Sequence, residues 1–265
     1  MKKLNRKEIK SYQISILKEI DSFCKVNNIT YFLSGGTLLG AARHAGYIPW
    51  DDDLDLMMPR ADYDRFTKEF ESEHLTIYSL AIVANCRFPF MKVYDKRTLV
   101  AEDSFKDDMV YGVFVDIFPL DNAPAKQTKI KALVYKSIFY QKLLKIKLAS
   151  KDDRWTLSQK VVLVVGKIIL AFIPIVWFSA KIDKIARSSL KENSPNMGCM
   201  VWGYGLREIL DMKEFAKTVY LDFESFKMPA PIGYKSYLSS LYGDYMTLPP
   251  IEKQKVKHNF DAFEV

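Results

Sequence analysis

Four carboxylates crowd together at Asp51, Asp52, Asp53 and Asp55, and a Ser34-Gly35-Gly36-Thr37 turn precedes them in one stretch, SGGTLLGAARHAGYIPWDDDLD. Leu54, Leu56, Met57 and Met58 surround and follow the acids, so the end of the row reads as a β-strand. Side chains alternate faces along a strand, which would put Asp51, Asp53 and Asp55 together while Leu54 and Leu56 enter the core. Carboxylates aligned on one face repel each other unless a cation lies between them. Hard oxygen ligands suit Mg²⁺, which takes one or two carboxylates and fills the rest of its shell with water and substrate phosphate. Gly35 and Gly36 carry no Cβ and let the backbone approach such a phosphate. The plain alternative is a solvated acidic loop after an ordinary Gly-Gly turn. Trp50 on one side and Leu-Met-Met on the other favour an enclosed site that holds a metal-bound phosphate.

Several elements must position these residues. Ile9, Tyr12, Ile16, Ile20 and Phe23 recur at three- and four-residue steps, which predicts one amphipathic helix from Lys7 to Asn27. Ile29 to Leu33 is a β-rich run that delivers the chain to the Ser-Gly-Gly turn. Thr37 is expected to cap a helix over Leu38 to Arg43, with its N–H groups facing the same phosphate. Arg43 and His44, between turn and carboxylates, are candidate phosphate-binding cations. Pro59 should open a helix through Asp62, Phe66 and Phe70. Leu75 to Val83, Phe90 to Tyr94 and Leu99 to Glu102 read as further strands of a mixed sheet.

A second acidic signal lies in the run from Val110 to Pro119, where Asp116 interrupts an otherwise apolar strand. A buried acid needs a partner: backbone N–H groups, a cation or another specific contact. With Asp53 and Asp55 it gives three carboxylates on adjacent strands, a set able to hold two metals about 3.5–4 Å apart for in-line phosphoryl displacement. Farther along, Trp202 and Tyr204 share one face of the expected strand Met200 to Gly205. They are ordinary core or, beside a site, a cage for a quaternary ammonium. Arg207, Tyr242 and Asp244 are further candidates.

The order Gly-Gly, Asp-x-Asp, isolated Asp resembles the nucleotidyltransferase (polymerase β-like) superfamily. The longer strings SGGTLLGAARHAGYIPWDDDLDLMMPRADYDRF and GVFVDIFPLD, with the run from Tyr242 to Pro250, closely resemble the LicD family, which is similar in its catalytic pattern to fukutin-related protein. The resemblance covers both ends of the chain and is weaker between them. It implies an α+β fold, a nucleotidyltransferase-like mixed sheet with flanking helices, to which the basic, apolar sequence between the matched ends is expected to add a helical, membrane-facing insert. It also implies a transferase that moves phosphocholine from CDP-choline to a sugar hydroxyl of a lipid-linked teichoic acid or surface glycan precursor, with release of CMP. Asp53 and Asp55 would be the Mg²⁺ pair, joined by Asp51 and by Asp116 as third acid; Ser34, Gly35, Gly36 and Thr37 would form the phosphate turn. CDP-glycerol or CDP-ribitol as donor, true nucleotidyl transfer, and a non-catalytic binding module on an inactive transferase fold are the alternatives.

The bulk numbers fit this reading. A chain of 265 residues with 49% hydrophobic and 14% aromatic content is a folded protein with a sizeable core. Cys24, Cys86 and Cys199 lie far apart, which argues against a disulfide scaffold or zinc site and for a reducing compartment. The basic start, MKKLNRKEIK, has no apolar run behind it, so no signal peptide is expected. Between Lys126 and Lys191, 15 basic residues face three acidic ones, a net +12 that leaves −5 for the rest of the +7 chain. An acidic body with one basic, apolar insert is not the pattern of a nucleic-acid binder. Ile130, Leu133, Tyr140, Leu144 and Leu148 fall on one helical face, and Val161 to Phe178 is nearly all apolar. That segment is borderline for spanning a bilayer, and the mid-segment Lys167 is costly there. It is either a buried core helix or a shallow anchor on anionic lipid, and the anchor is preferred. The expectation is thus a cytoplasmic protein, peripheral on the inner face of a bacterial plasma membrane, with a catalytic core over 1–125, an insert over 126–192 and a completing part over 193–265.

Overall fold

The computed structural model describes residues 1–102, 111–149, 156–190, 194–255 and 260–265. The expected strand start at Val110, the insert end at Lys191 and the boundary after 192 lie outside the described residues. The chain opens with β1 (Lys2–Lys3) and α1 (Arg6–Val26), then β2 (Phe32–Leu33) and α2 (Gly35–His44). There follow β3 (Asp55–Pro59), α3 (Arg60–Glu69), β4 (Leu75–Tyr78), β5 (Met91–Asp95), β6 (Thr98–Glu102) and β7 (Phe114–Ala123). The insert contributes α4 (Gln127–Leu148), α5 (Leu157–Ile169) and α6 (Ile175–Ala186). The remainder supplies β8 (Asn196–Gly198), β9 (Leu210–Asp211), β10 (Thr218–Phe223), β11 (Phe226–Pro231), α7 (Tyr234–Tyr242) and β12 (Phe260–Glu264).

The fold is α+β and built on a mixed sheet in the order β2-β3-β7-β5-β4, extended by β8 and β9 from the far end of β7. β3 and β7 run parallel, and β2 lies antiparallel to β3. β5 lies antiparallel to both β7 and β4. β6, expected in the same sheet, instead pairs with β12, which also pairs with β1. Strand-forming residues set β6's type, but its partner is the end of the chain, which local pattern cannot specify.

α1 begins where Asn5 accepts from the Lys7 and Glu8 N–H groups while Glu8 Oε2 accepts from the Asn5 N–H, a reciprocal cap. Its buried face carries Ile16, Leu17, Ile20 and Cys24 against the sheet. Each of the three aliphatic side chains among these contributes roughly 1.5–3 kcal/mol relative to exposure. Gln13 sits on the same face because its Nε2 donates to the Asp52 carbonyl at 2.9 Å.

The insert departs from the expected pattern in two ways. The buried stripe of α4 is Ile130, Val134, Ser137, Gln141 and Leu144, not Leu133 and Tyr140. The two polar members are satisfied there: Ser137 Oγ donates to the Met200 carbonyl at 2.6 Å and Gln141 Nε2 to Ser137 Oγ at 3.1 Å. The apolar run is also broken, since α5 ends at Ile169 and Pro174 precedes α6. α6 buries Phe178, Ile182 and Ile185, whereas α5 leaves much of its surface in solvent: Ile168 is 67% and Ile169 70% exposed. No helix among the described residues is long and apolar enough to cross a membrane.

Candidate active site

The site begins where β2 hands the chain to α2. Ser34, not Thr37, occupies the helix N-cap, and Gly35 and Gly36 are the first helical residues. Thr37 lies inside the helix, 4% exposed, and its Oγ1 accepts the Asp55 N–H at 2.8 Å. The Ser34 N–H donates to the Asp55 carbonyl at 2.9 Å, so both backbone groups of Asp55 are fastened to the helix start. Gly35 has φ +48°, the left-handed region that favours glycine. A Cβ on Gly36 would stand 2.6 Å from Asp51 Oδ2, so any larger residue here would push that carboxylate away from the helix start.

The acids divide between loop and strand. β3 starts at Asp55, and Asp51, Asp52 and Asp53 precede it in a loop. That loop is pinned by the Asp51 N–H on the Ile48 carbonyl, by Arg6 Nη2 on the Asp51 carbonyl and by Gln13 on the Asp52 carbonyl. These contacts replace ladder bonds, which is why the strand forms later than alternation suggested. Asp51, Asp52 and Asp53 each offer an oxygen within 4.8 Å of the others, close enough to share an ion. Asp55 lies in register with Asp116 across the parallel β3–β7 pair, and Lys92 lies in register with Asp116 across β5–β7. Lys92 Nζ reaches Asp116 Oδ1 at 2.8 Å and Oδ2 at 3.1 Å. Its buried ammonium also rests over the Phe114 ring at 3.5 Å.

Burial pushes the Asp55 carboxyl well above the usual range; Asp53, Asp116 and Asp51 add to the rise and Lys92 opposes it. Ionising Asp55 in this company is costly, and a divalent cation would remove that cost. The donor set therefore fits a hard metal ion. Asp51, Asp53, Asp55 and Asp116 line one cavity of about 960 Å³ with Ser34, Gly35 and Gly36. Arg43 also lines it; its Nη1 donates to the Tyr245 carbonyl at 2.8 Å. His44 and Thr37 are not among the lining residues. The His44 ring stands edge-on to Trp50, and its Nε2 accepts from Arg43 Nε at 3.0 Å; burial and Arg43 both lower its pKa. It is thus a poor phosphate cation.

Trp202 and Tyr204 reach the same cavity. Lys145 Nζ already sits 4.6 Å from the Trp202 ring centre. Tyr204 packs edge-to-face on Tyr242 at 5.3 Å, with their hydroxyls 3.0 Å apart. Lys92, Tyr237 and Glu208 are the residues that sequence reasoning missed; the last two form a buried trio with Ser34, already expected in the phosphate turn. Lys92 had a readable signal, as a lone lysine in the apolar run from Phe88 to Val93. Tyr237 and Glu208 had none, because only tertiary packing brings them to Ser34.

The sequence profile described as LicD/FKTN/FKRP, nucleotidyltransferase domain, matches residues 28–149, which carry the helix start and all the clustered acids. That is the class to which the sheet and its acidic cavity correspond. The chain is similar to a Lipopolysaccharide cholinephosphotransferase LicD of Haemophilus influenzae, 31% identical over 272 residues that cover 99% of each protein. It belongs to the LicD family. Ribitol 5-phosphate transferase FKRP of Homo sapiens is 64% identical over 28 residues, 11% of this chain and 6% of that protein. An uncharacterised protein of Rickettsia typhi is 31% identical over 126 residues, 41% of each chain.

Proposed function

We propose that the protein transfers phosphocholine from CDP-choline to a sugar hydroxyl of a lipid-linked surface glycan, releasing CMP. The observation that carries this reading is the shared cavity that Asp51, Asp53, Asp55 and Asp116 line together with the Gly35–Gly36 helix start. Near-full-length similarity to a cholinephosphotransferase supports the donor class. The first N–H groups of α2 would bind diphosphate oxygens, helped by the positive end of the helix dipole. Asp53 and Asp55 would hold Mg²⁺, with Asp51 or Asp116 completing its shell; when bound, that ion offsets diphosphate charge and favours departure of CMP. Asp116, oriented by Lys92, would take the proton of the attacking sugar hydroxyl. The sugar oxygen bonds to the phosphorus that bears choline, and the bond from that phosphorus to the bridging oxygen of CMP breaks. Tyr204 and Tyr242 offer ring surface to the quaternary ammonium, whereas Lys145 competes for Trp202.

The insert gives this enzyme a way to meet a lipid-borne acceptor. Val161, Val162, Ile168, Ile169 and Phe172 are exposed apolar side chains on and just after α5, within the basic segment, and Phe172 is 97% exposed. We infer shallow docking on an anionic bilayer, each basic residue near the surface contributing on the order of 1 kcal/mol. Flotation with anionic liposomes should weaken as salt rises without vanishing; equal binding to neutral vesicles removes the docking idea.

The deciding experiment incubates purified protein with Mg²⁺ and CDP-choline, CDP-glycerol or CDP-ribitol, and follows CMP with and without a glycan acceptor. CMP release confined to CDP-choline supports the reading. Release from another CDP-alcohol moves the donor, transfer of the CMP moiety itself marks a nucleotidyltransferase, and binding without turnover marks an inactive module.

A further inference from the structure

Three buried oxygens run in series from the interior to the start of α2. Glu208 ends a short 3₁₀ turn (Gly205–Glu208) and is 5% exposed. Among the described residues no basic side chain pairs with it. Its Oε2 accepts from the Tyr237 hydroxyl at 2.9 Å and its Oε1 from the Tyr204 N–H at 3.3 Å. The Tyr237 hydroxyl in turn lies 3.3 Å from Ser34 Oγ, a separation across which either oxygen can donate. Tyr237 is 1% and Ser34 6% exposed. Serine at an N-cap usually accepts from the helix N–H groups, but the Ser34 side chain makes no such bond. It is committed to Tyr237 instead. A carboxylate without a basic partner is expensive to bury. This one lies in the wall of the same cavity as Ser34 and Gly35.

We propose that Glu208, acting through Tyr237, sets the direction of the Ser34 hydroxyl and so couples proton uptake to the binding of a diphosphate at the start of α2. The inference rests on the donor reading given above and assigns Glu208 and Tyr237 as positioning residues. An ionised carboxylate only accepts, so Tyr237 must donate to Glu208. Ser34 then donates to the Tyr237 oxygen and presents lone pairs to the cavity, which repel phosphate oxygens. Once Glu208 is protonated, its proton goes to the Tyr237 oxygen and Tyr237 donates to Ser34. The Ser34 hydrogen is released to bond the phosphate. One proton enters from solvent, and no covalent bond beyond O–H is made or broken.

The surroundings suit such a reversal. Burial pushes the Glu208 carboxyl up to about 7, against the opposing hydrogen bonds from Tyr237 and the Tyr204 N–H. The titratable groups that face it are the hydroxyls of Tyr204 and Tyr237 and the Cys199 thiol, each raised by burial and so kept neutral. From α4, Val134 and Ile138 approach the same 3₁₀ turn at Gly205. Arg207, its neighbour in sequence, turns away to the Leu241 carbonyl.

The test is calorimetric titration of CDP-choline, whose diphosphate diester does not itself titrate near neutrality, into the Mg²⁺-supplied protein. Pairs of buffers with different ionisation enthalpies, between pH 6 and 8.5, report the protons exchanged. Wild type should take up more protons than Glu208→Gln, the excess rising toward one per donor above pH 7. Any proton that Asp55 releases to the ion cancels in this difference. Wild-type affinity should fall with pH above 7, by roughly tenfold per unit at full coupling. Glu208→Gln, whose amide donates to Tyr237 as the protonated acid does, should keep the low-pH affinity throughout. Tyr237→Phe, which can pass no proton, should also lose the pH dependence and provides the answer if the first variant folds poorly. Equal uptake in wild type and Glu208→Gln, or an unchanged pH profile in Tyr237→Phe, overturns the inference alone. Failure of wild type to bind any CDP-alcohol overturns the donor reading and this inference together.

Discussion

Asp116 and Asp121 stand on the same strand, both buried, and the fold treats them in opposite ways. Asp121 is 0% exposed and is gripped by Arg60, whose Nε and Nη2 each donate to one of its oxygens at 2.7 Å. Burial opposes charge on Arg60, but the Asp121 carboxylate outweighs it and holds the guanidinium above its ordinary value. The third arm of Arg60 reaches Asp183 of α6 at 2.9 Å, and Arg187 ties Asp183 to Asp64. Two guanidiniums bridge three carboxylates in this network, which joins α3, β7 and the insert. Asp116 has Lys92, but it also faces Asp55 across β3 and contributes to the rise of the Asp55 pKa. One end of β7 is held by guanidinium and structural; the other is left acidic and open to a cavity. A fold spends stability on such an excess where a ligand is to supply the missing positive charge.

Substitutions can break this comparison, and the largest effect belongs to the acidic end. Asp55→Asn should cut CMP release by on the order of 10²–10³-fold while the protein stays folded. Without an added metal it should be more stable than wild type at pH 7. The sign follows from the raised carboxyl: the folded state resists ionisation of Asp55, so wild type loses stability as pH rises above about 4, the unfolded value. The advantage of the variant should therefore disappear below about pH 4, which thermal melts across pH will show. A folded Asp55→Asn enzyme with near-wild-type turnover contradicts the assignment.

At the Asp121 end, Arg60→Ala should cost about 3–5 kcal/mol, because the buried Asp121 loses its guanidinium partner. Denaturant unfolding measures this, and a loss below about 1 kcal/mol would show that the network is not structural. Asp116→Asn sharpens the contrast further. Its CMP release should fall by about 10²-fold while donor affinity, read by calorimetry, changes little. A loss of stability with activity kept would place Asp116 with Asp121 instead.

The Gly-Gly and Asp-x-Asp pair was legible because its chemistry is local: two glycines beside acids, then acids backed by Leu54 and Leu56. Asp116 was legible because an acid inside an apolar strand is rare enough to stand out, and its register with Asp55 follows from the sheet. The strand start at Asp55 was not, since Arg6 and Gln13, distant in sequence, hold the preceding acids in a loop. The buried stripe of α4 misled for the same reason: Ser137 is buried by its bond to Met200, which hydrophobic spacing cannot reveal. The helix start was placed late because Ser34 and Thr37 both look like caps, and only the Asp55 N–H decides that Thr37 belongs inside.

The central claim, that the acidic end of β7 and its neighbours await a cation and a diphosphate, is tested most directly by thermal melts at pH 7 with Mg²⁺ and CDP-choline. Wild type should be stabilised by Mg²⁺, and further by the donor, in proportion to RT ln(1 + [L]/Kd). Asp53→Asn and Asp55→Asn should lose the Mg²⁺-dependent rise. A wild-type melting temperature indifferent to Mg²⁺ and donor, or a rise that survives in both variants, contradicts the account.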